Sequence, residues 1–183
     1  MPKFRDASIV LATALPMIAA ASAAGAADVT PYLSASVGKF DHGLTEHSDS
    51  RDSAVDFRLE YRFGTSLLPM IENFATLRPF VGLEATSDAA LYGVGGILLD
   101  VTFGQVFVTP SFGVGLYTRG NGKDLGHPIE FRSQIEVGYE FANEMRLSLA
   151  YSHLSNAGMD DLNPGADVIG AYLHVPVSSL FTP

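Results

Sequence analysis

The chain has 183 residues, 47% of them hydrophobic and 17% charged, with a formal charge of −9, which suits one domain and makes nucleic acid an unexpected partner. It contains no cysteine, so disulfides, thiolate metal sites and cysteine nucleophiles are excluded and the fold must rest on burial and backbone pairing.

Residues 1–27 open with Met1, Pro2, Lys3, Phe4 and Arg5, continue as an apolar run from Ala7 to Ala23, and end on Ala24, Gly25, Ala26 and Ala27. A basic start, a greasy centre and a small-residue exit are the order of a secretory signal peptide, expected to be cleaved near Ala27. Its loss takes Lys3, Arg5 and Asp6 and leaves residues 28–183, the expected membrane domain, with a formal charge of −10.

Beyond it no stretch approaches the 18 apolar residues of a spanning helix. What recurs instead is period-two alternation, the mark of strands with two unlike faces. Eight such segments follow in order, at 31–40, 54–63, 77–87, 89–103, 106–117, 129–141, 145–156 and 167–176. In the second, Val55, Phe57, Leu59, Tyr61 and Phe63 alternate with Asp56, Arg58, Glu60 and Arg62. In the sixth, Phe131, Ile135, Val137, Tyr139 and Phe141 share one face, and Glu130, Arg132, Gln134, Glu136 and Glu140 the other.

Segments of about ten residues match tilted strands that cross a bilayer. The expected fold is therefore all-β, an eight-stranded antiparallel transmembrane β-barrel of the outer membrane with both ends on the periplasmic side. A barrel of eight strands has room inside only for side chains. Asp56, Arg58, Glu60, Arg62, Arg78, Glu84, Glu136 and Arg146 are expected to fill it as a paired ionic core, with His174 hydrogen-bonded among them. Tryptophan is absent, so Tyr32, Tyr61, Tyr117, Tyr139 and Tyr151 are the candidates for the interfacial aromatic belts.

Connections one, five and seven are long and polar, around 41–53, 118–128 and 157–166, whereas four and six are tight turns at 104–105 and 142–144. The second connection, 64–76, is longer than a periplasmic turn needs, and the third, near Ser87 and Asp88, shorter than an outer loop allows. In the first loop His42 and His47 lie near Asp41 and Glu46 without the spacing of a metal site, so a solvated loop is the reading. Lys39, Arg51, Arg119 and Lys123 belong near the outer rim, where loop solubility is the default and contact with lipid phosphates the alternative. Neither a metal nor a cofactor is expected.

The stretch that carries chemistry is Tyr151-Ser152-His153-Leu154-Ser155-Asn156-Ala157-Gly158, followed by Asn163-Pro164-Gly165-Ala166-Asp167. Residues two apart on a strand share a face, so Leu147, Leu149, Tyr151, His153 and Ser155 line the outward side of the seventh strand. His153 and Ser155 are two strand rises apart, roughly 6.6 Å, a gap an imidazole and a hydroxyl can close by leaning together. If Leu147, Leu149 and Tyr151 face Leu173, Ala171 and Ile169 across the last hairpin, the register sets Asp167 opposite His153. Ser155 is then the candidate nucleophile, His153 the base and Asp167 the acid that orients it, with Asp160 and Asp161 as the other acids in reach. The Asn156 amide and a backbone N–H near Gly158 are the candidate oxyanion donors.

His153-Leu154-Ser155-Asn156-Ala157-Gly158, the acid at Asp167 and the closing Tyr172-Leu173-His174-Val175-Pro176 resemble the lipid A 3-O-deacylase (PagL) family over roughly the last 35 residues. The resemblance implies a serine esterase of the outer leaflet that removes the ester-linked acyl chain at position 3 of lipid A. Ser155, His153 and Asp167 would be its triad, with Asp167 standing where that family has Glu. The partners implied are lipid A or lipopolysaccharide and the outer membrane, with a homodimer left open. The rival readings are a non-enzymatic structural barrel, which needs no triad, and a phospholipid-dependent acyltransferase barrel, which wants an apolar interior.

Overall fold

The structure is a computed structural model that describes residues 29–41, 53–68 and 74–181. The expected signal peptide, His42, His47 and Arg51 lie outside the described residues. Eight strands follow one another: β1 (Tyr32–Phe40), β2 (Ala54–Arg62), β3 (Ala75–Thr86), β4 (Leu91–Phe103), β5 (Val106–Thr118), β6 (Ile129–Glu140), β7 (Arg146–Ser155) and β8 (Ala166–Pro176). Each pairs antiparallel with the next, and β8 returns to β1 to close the barrel. Closure gives every strand two hydrogen-bonded neighbours, the condition for a sheet surrounded by hydrocarbon.

The pleat sorts the side chains as the alternation requires. Leu149 is 68% exposed, and Leu147, Leu173, Val137, Phe57 and Leu59 stand out from the wall in the same way. A belt of apolar side chains around a closed barrel is a hydrocarbon-facing surface. Inside, the charged residues are buried in pairs. Arg58 bridges Asp56 at 2.8 Å and Glu84 at 2.9 Å, Arg62 holds Glu136 at 2.7 Å, and Arg132 holds Glu60 at 2.5 Å. Asp100 receives both Arg78 and Arg146. Charges taken out of water are tolerated when paired and hydrogen-bonded, and this lattice fills the middle of the barrel. His174 sits within it, fully buried, against the hydroxyls of Ser34 at 2.7 Å and Ser148 at 2.9 Å.

Two expectations about the interior need correction. Its loop-side end is apolar, with Phe40, Tyr92, Leu154, Val168 and Leu125 from the fifth connection packed together. Tyr32 and Tyr117 also point inward, 2% and 6% exposed, and serve no membrane belt. Strand parity is the reason: Tyr32 shares its face with Ser34, and Tyr117 with Gly115, both of them interior positions. Arg78 and Arg146 stack over the Tyr32 ring at 5.5 and 4.7 Å, and Tyr117 donates to the Lys123 carbonyl at 2.8 Å. Tyr61, Tyr139 and Tyr151 keep the outward position expected of them.

Candidate active site

The β7–β8 ladder pairs Leu147 with Leu173, Leu149 with Ala171, Tyr151 with Ile169 and His153 with Asp167. That register follows from the outward apolar residues of the two strands, which must lie on one face if either is to meet lipid. It leaves His153 and Asp167 as a directly opposed pair at the loop end of the outward wall. The imidazole Nδ1 lies 2.7 Å from Asp167 Oδ1. A carboxylate can only accept, so Nδ1 is the donor of this bond and Nε2 is the nitrogen on which base chemistry would fall. The His153 side chain is 36% exposed and that of Asp167 only 3%, so the base is reachable and the acid is covered. Among the described strand residues, the outward wall carries no Asp, Glu, Lys, Arg or His other than this pair and Lys39.

Ser155 is the last residue of β7, half-buried and on the same face as His153. Its partner across the β6–β7 ladder is Phe131, and that of His153 is Ser133. Phe131 stacks on Phe112 with ring centroids 5.9 Å apart. The serine is thus flanked by the imidazole along its own strand and by an aromatic pair across the sheet.

The chain turns immediately after the serine. Met159 N–H donates to the Asn156 carbonyl at 3.1 Å, and the two central residues, Ala157 and Gly158, both have positive φ, 55° and 77°. Asn156 has crossed to the interior and is fully buried. Its amide donates to the carbonyls of Leu125 at 3.0 Å and Leu162 at 2.9 Å, and its Oδ1 accepts the Gly158 N–H at 2.9 Å. In this structure Asn156 and Gly158 therefore clamp the seventh loop onto the fifth. The physical reason is parity again, since a residue next to outward Ser155 on an extended strand faces inward.

Asp160 and Asp161 are exposed loop residues, and Asp160 Oδ1 accepts the Leu162 N–H at 3.0 Å. Of the three acids considered, Asp167 is the one brought to the imidazole. Lys123 is also corrected from a rim cation, being buried and bridged to buried Asp41 at 2.8 Å, while Arg119 pairs with Asp124 in solvent. Gly165, absent from the expected site, belongs to it. Its φ is +64°, and it lies against the His153 ring. The Pro164-Gly165 pair just before β8 is the turn signal that marks this position in the sequence.

The family model described as "Lipid A 3-O-deacylase (PagL)" matches residues 87–176. Curated relatives named "Lipid A deacylase PagL" include one from Bordetella bronchiseptica, 38% identical over 47 residues, covering 26% of each chain. Another, from Pseudomonas aeruginosa, is 29% identical over 73 residues, covering 39% of this chain and 42% of that one. The matches therefore span less than half the length of these relatives. Among solved structures, the barrel is similar to "Crystal structure of the outer membrane enzyme PagL", with TM-score 0.61 and 20% identity over 80% of this chain and 99% of that one. It also superposes on a chain from "De novo design of transmembrane beta-barrels", with TM-score 0.52 and 13% identity over 81% and 98% of the two chains.

Proposed function

Because this chain belongs to the lipid A 3-O-deacylase (PagL) family, we propose that it is an outer-membrane esterase that hydrolyses the 3-position acyl ester of lipid A through Ser155, His153 and Asp167. The observation that carries this reading is the 2.7 Å contact between His153 Nδ1 and Asp167 Oδ1 on a wall otherwise made for hydrocarbon. An ion-pair-forming dyad facing lipid is costly, and chemistry on a lipid accounts for its position.

In the proposed reaction Ser155 Oγ attacks the ester carbonyl carbon while His153 Nε2 takes the hydroxyl proton, and Asp167 stabilises the imidazolium so formed. The tetrahedral intermediate collapses as the imidazolium returns its proton to the departing sugar 3-oxygen. Lipid A leaves with a free 3-hydroxyl and the fatty acyl group stays on Ser155. Water, deprotonated by His153, then releases the fatty acid and restores the serine. The substrate's ester reaches the serine from the outer leaflet, with its acyl chain along the apolar wall beside Phe131.

Purified protein in mixed micelles with lipid A provides the test, with mass spectrometry reading the released 3-hydroxy fatty acid. Ser155→Ala and His153→Ala are expected to abolish release while the barrel still migrates as a folded species in unheated gels. Asp167→Asn is expected to retain activity above these two variants, because the acid orients and stabilises without touching substrate. Full activity of Ser155→Ala, or none in the unaltered protein, would leave a structural barrel as the better description.

A further inference from the structure

One imidazole N–H does not satisfy a carboxylate, which has two oxygens and about four acceptor sites. Asp167 faces outward and yet is only 2% exposed, so water is not what completes its coordination. A candidate donor stands two residues before His153 on the same face. Tyr151 pairs with Ile169, which places it diagonal to Asp167 in the β7–β8 ladder, within the reach of an aromatic side chain. Both side chains leave the outward face one diagonal step apart, which brings the Tyr151 phenol within hydrogen-bonding reach of the Asp167 carboxylate. A phenol among lipid chains needs an acceptor, and a buried carboxylate needs donors; each group meets the other's requirement.

We propose that Tyr151 is a positioning residue for the reaction, its phenolic O–H holding the Asp167 carboxylate in the rotamer that meets His153 Nδ1. The inference rests on the esterase reading above. It makes the outward residues of β7 a graded series: Tyr151 fixes the acid, His153 is fixed by it, and Ser155 is activated by His153. Tyr151 touches neither the ester nor the leaving oxygen, so its effect passes entirely through Asp167.

A double-mutant cycle in mixed micelles with lipid A tests this, using the unaltered protein, Tyr151→Phe, Asp167→Ala and the double variant. Removing a hydrogen bond to a charged group should lower kcat by about tenfold in Tyr151→Phe with KM within about twofold, since substrate binding is untouched. In the Asp167→Ala background the same change should alter kcat by less than about twofold, because no carboxylate remains to be held. A merely structural phenol would cost the same factor in both backgrounds, and that result overturns the proposal. So does Tyr151→Phe with unaltered kcat when the parent protein is active and Ser155→Ala is dead, an outcome that leaves the esterase reading standing. A parent protein that releases no fatty acid overturns both.

Discussion

A β-carbon placed on Gly165 would stand 2.9 Å from His153 Cε1 and 3.3 Å from Nε2, so the backbone of this glycine forms a wall against the basic edge of the imidazole. No side chain fits there without moving the ring. The φ of +64° adds a second demand, since L residues adopt that region at a cost.

Gly165→Ala is accordingly expected to lower kcat for deacylation by about tenfold or more, since displacing a reacting group by even 1 Å can cost about a hundredfold. The barrel should persist, because Gly165 precedes β8 and makes no ladder pair. Steady-state kinetics with unheated gel mobility as the folding control checks both halves. Unaltered kcat would show that the ring has room to spare.

Asn156→Ala removes two donors to the Leu125 and Leu162 carbonyls and the acceptor of Gly158 N–H. At about 1 kcal/mol per hydrogen bond, the seventh loop should open far more often. Limited proteolysis between residues 157 and 165 is expected to accelerate by at least about tenfold, while the strands stay resistant. A cleavage rate equal to that of the parent protein would mean that other contacts hold the loop.

Leu149 and Met159 are both exposed apolar residues, 68% and 46%, but one lies in mid-strand and the other in the seventh loop. Leu149→Arg should destabilise the barrel in phospholipid vesicles by about 2 to 4 kcal/mol, the cost of a cation on the lipid-facing wall near the midplane. Met159→Arg should cost under about 0.5 kcal/mol, as surface changes do. Urea titrations followed by tryptophan-free fluorescence of the tyrosines or by gel shift would resolve the two, and equal costs would contradict the assignment of faces.

The strands and the dyad were legible in the sequence for one reason. Period-two alternation is strict in β2, β6 and β7, and the outward residues of β7 and β8 match in only one register, which puts Asp167 opposite His153. Where that parity was not carried through, the reading failed. Tyr32 and Tyr117 both occupy interior positions that the alternation of their neighbours assigns. The remaining features depend on contacts between distant loops. The Lys123–Asp41 bridge joins residues 82 apart, and Asn156 reaches 31 residues back to Leu125; nothing in local pattern marks either. Gly165 lay between these cases, visible as a turn residue but silent about the ring it touches.

The ionic lattice that fills the barrel has a consequence for traffic. With Arg62, Arg132, Glu60 and Glu136 locked across the middle, ion pairs fill the axis among the described residues, and the His153–Asp167 pair opens sideways. Under the proposed esterase function, encounter with a lipid is then a collision in two dimensions, between molecules already floating in the same sheet. Its frequency depends on how crowded that sheet is with substrate and on how fast the two drift, and diluting the surrounding buffer leaves it untouched.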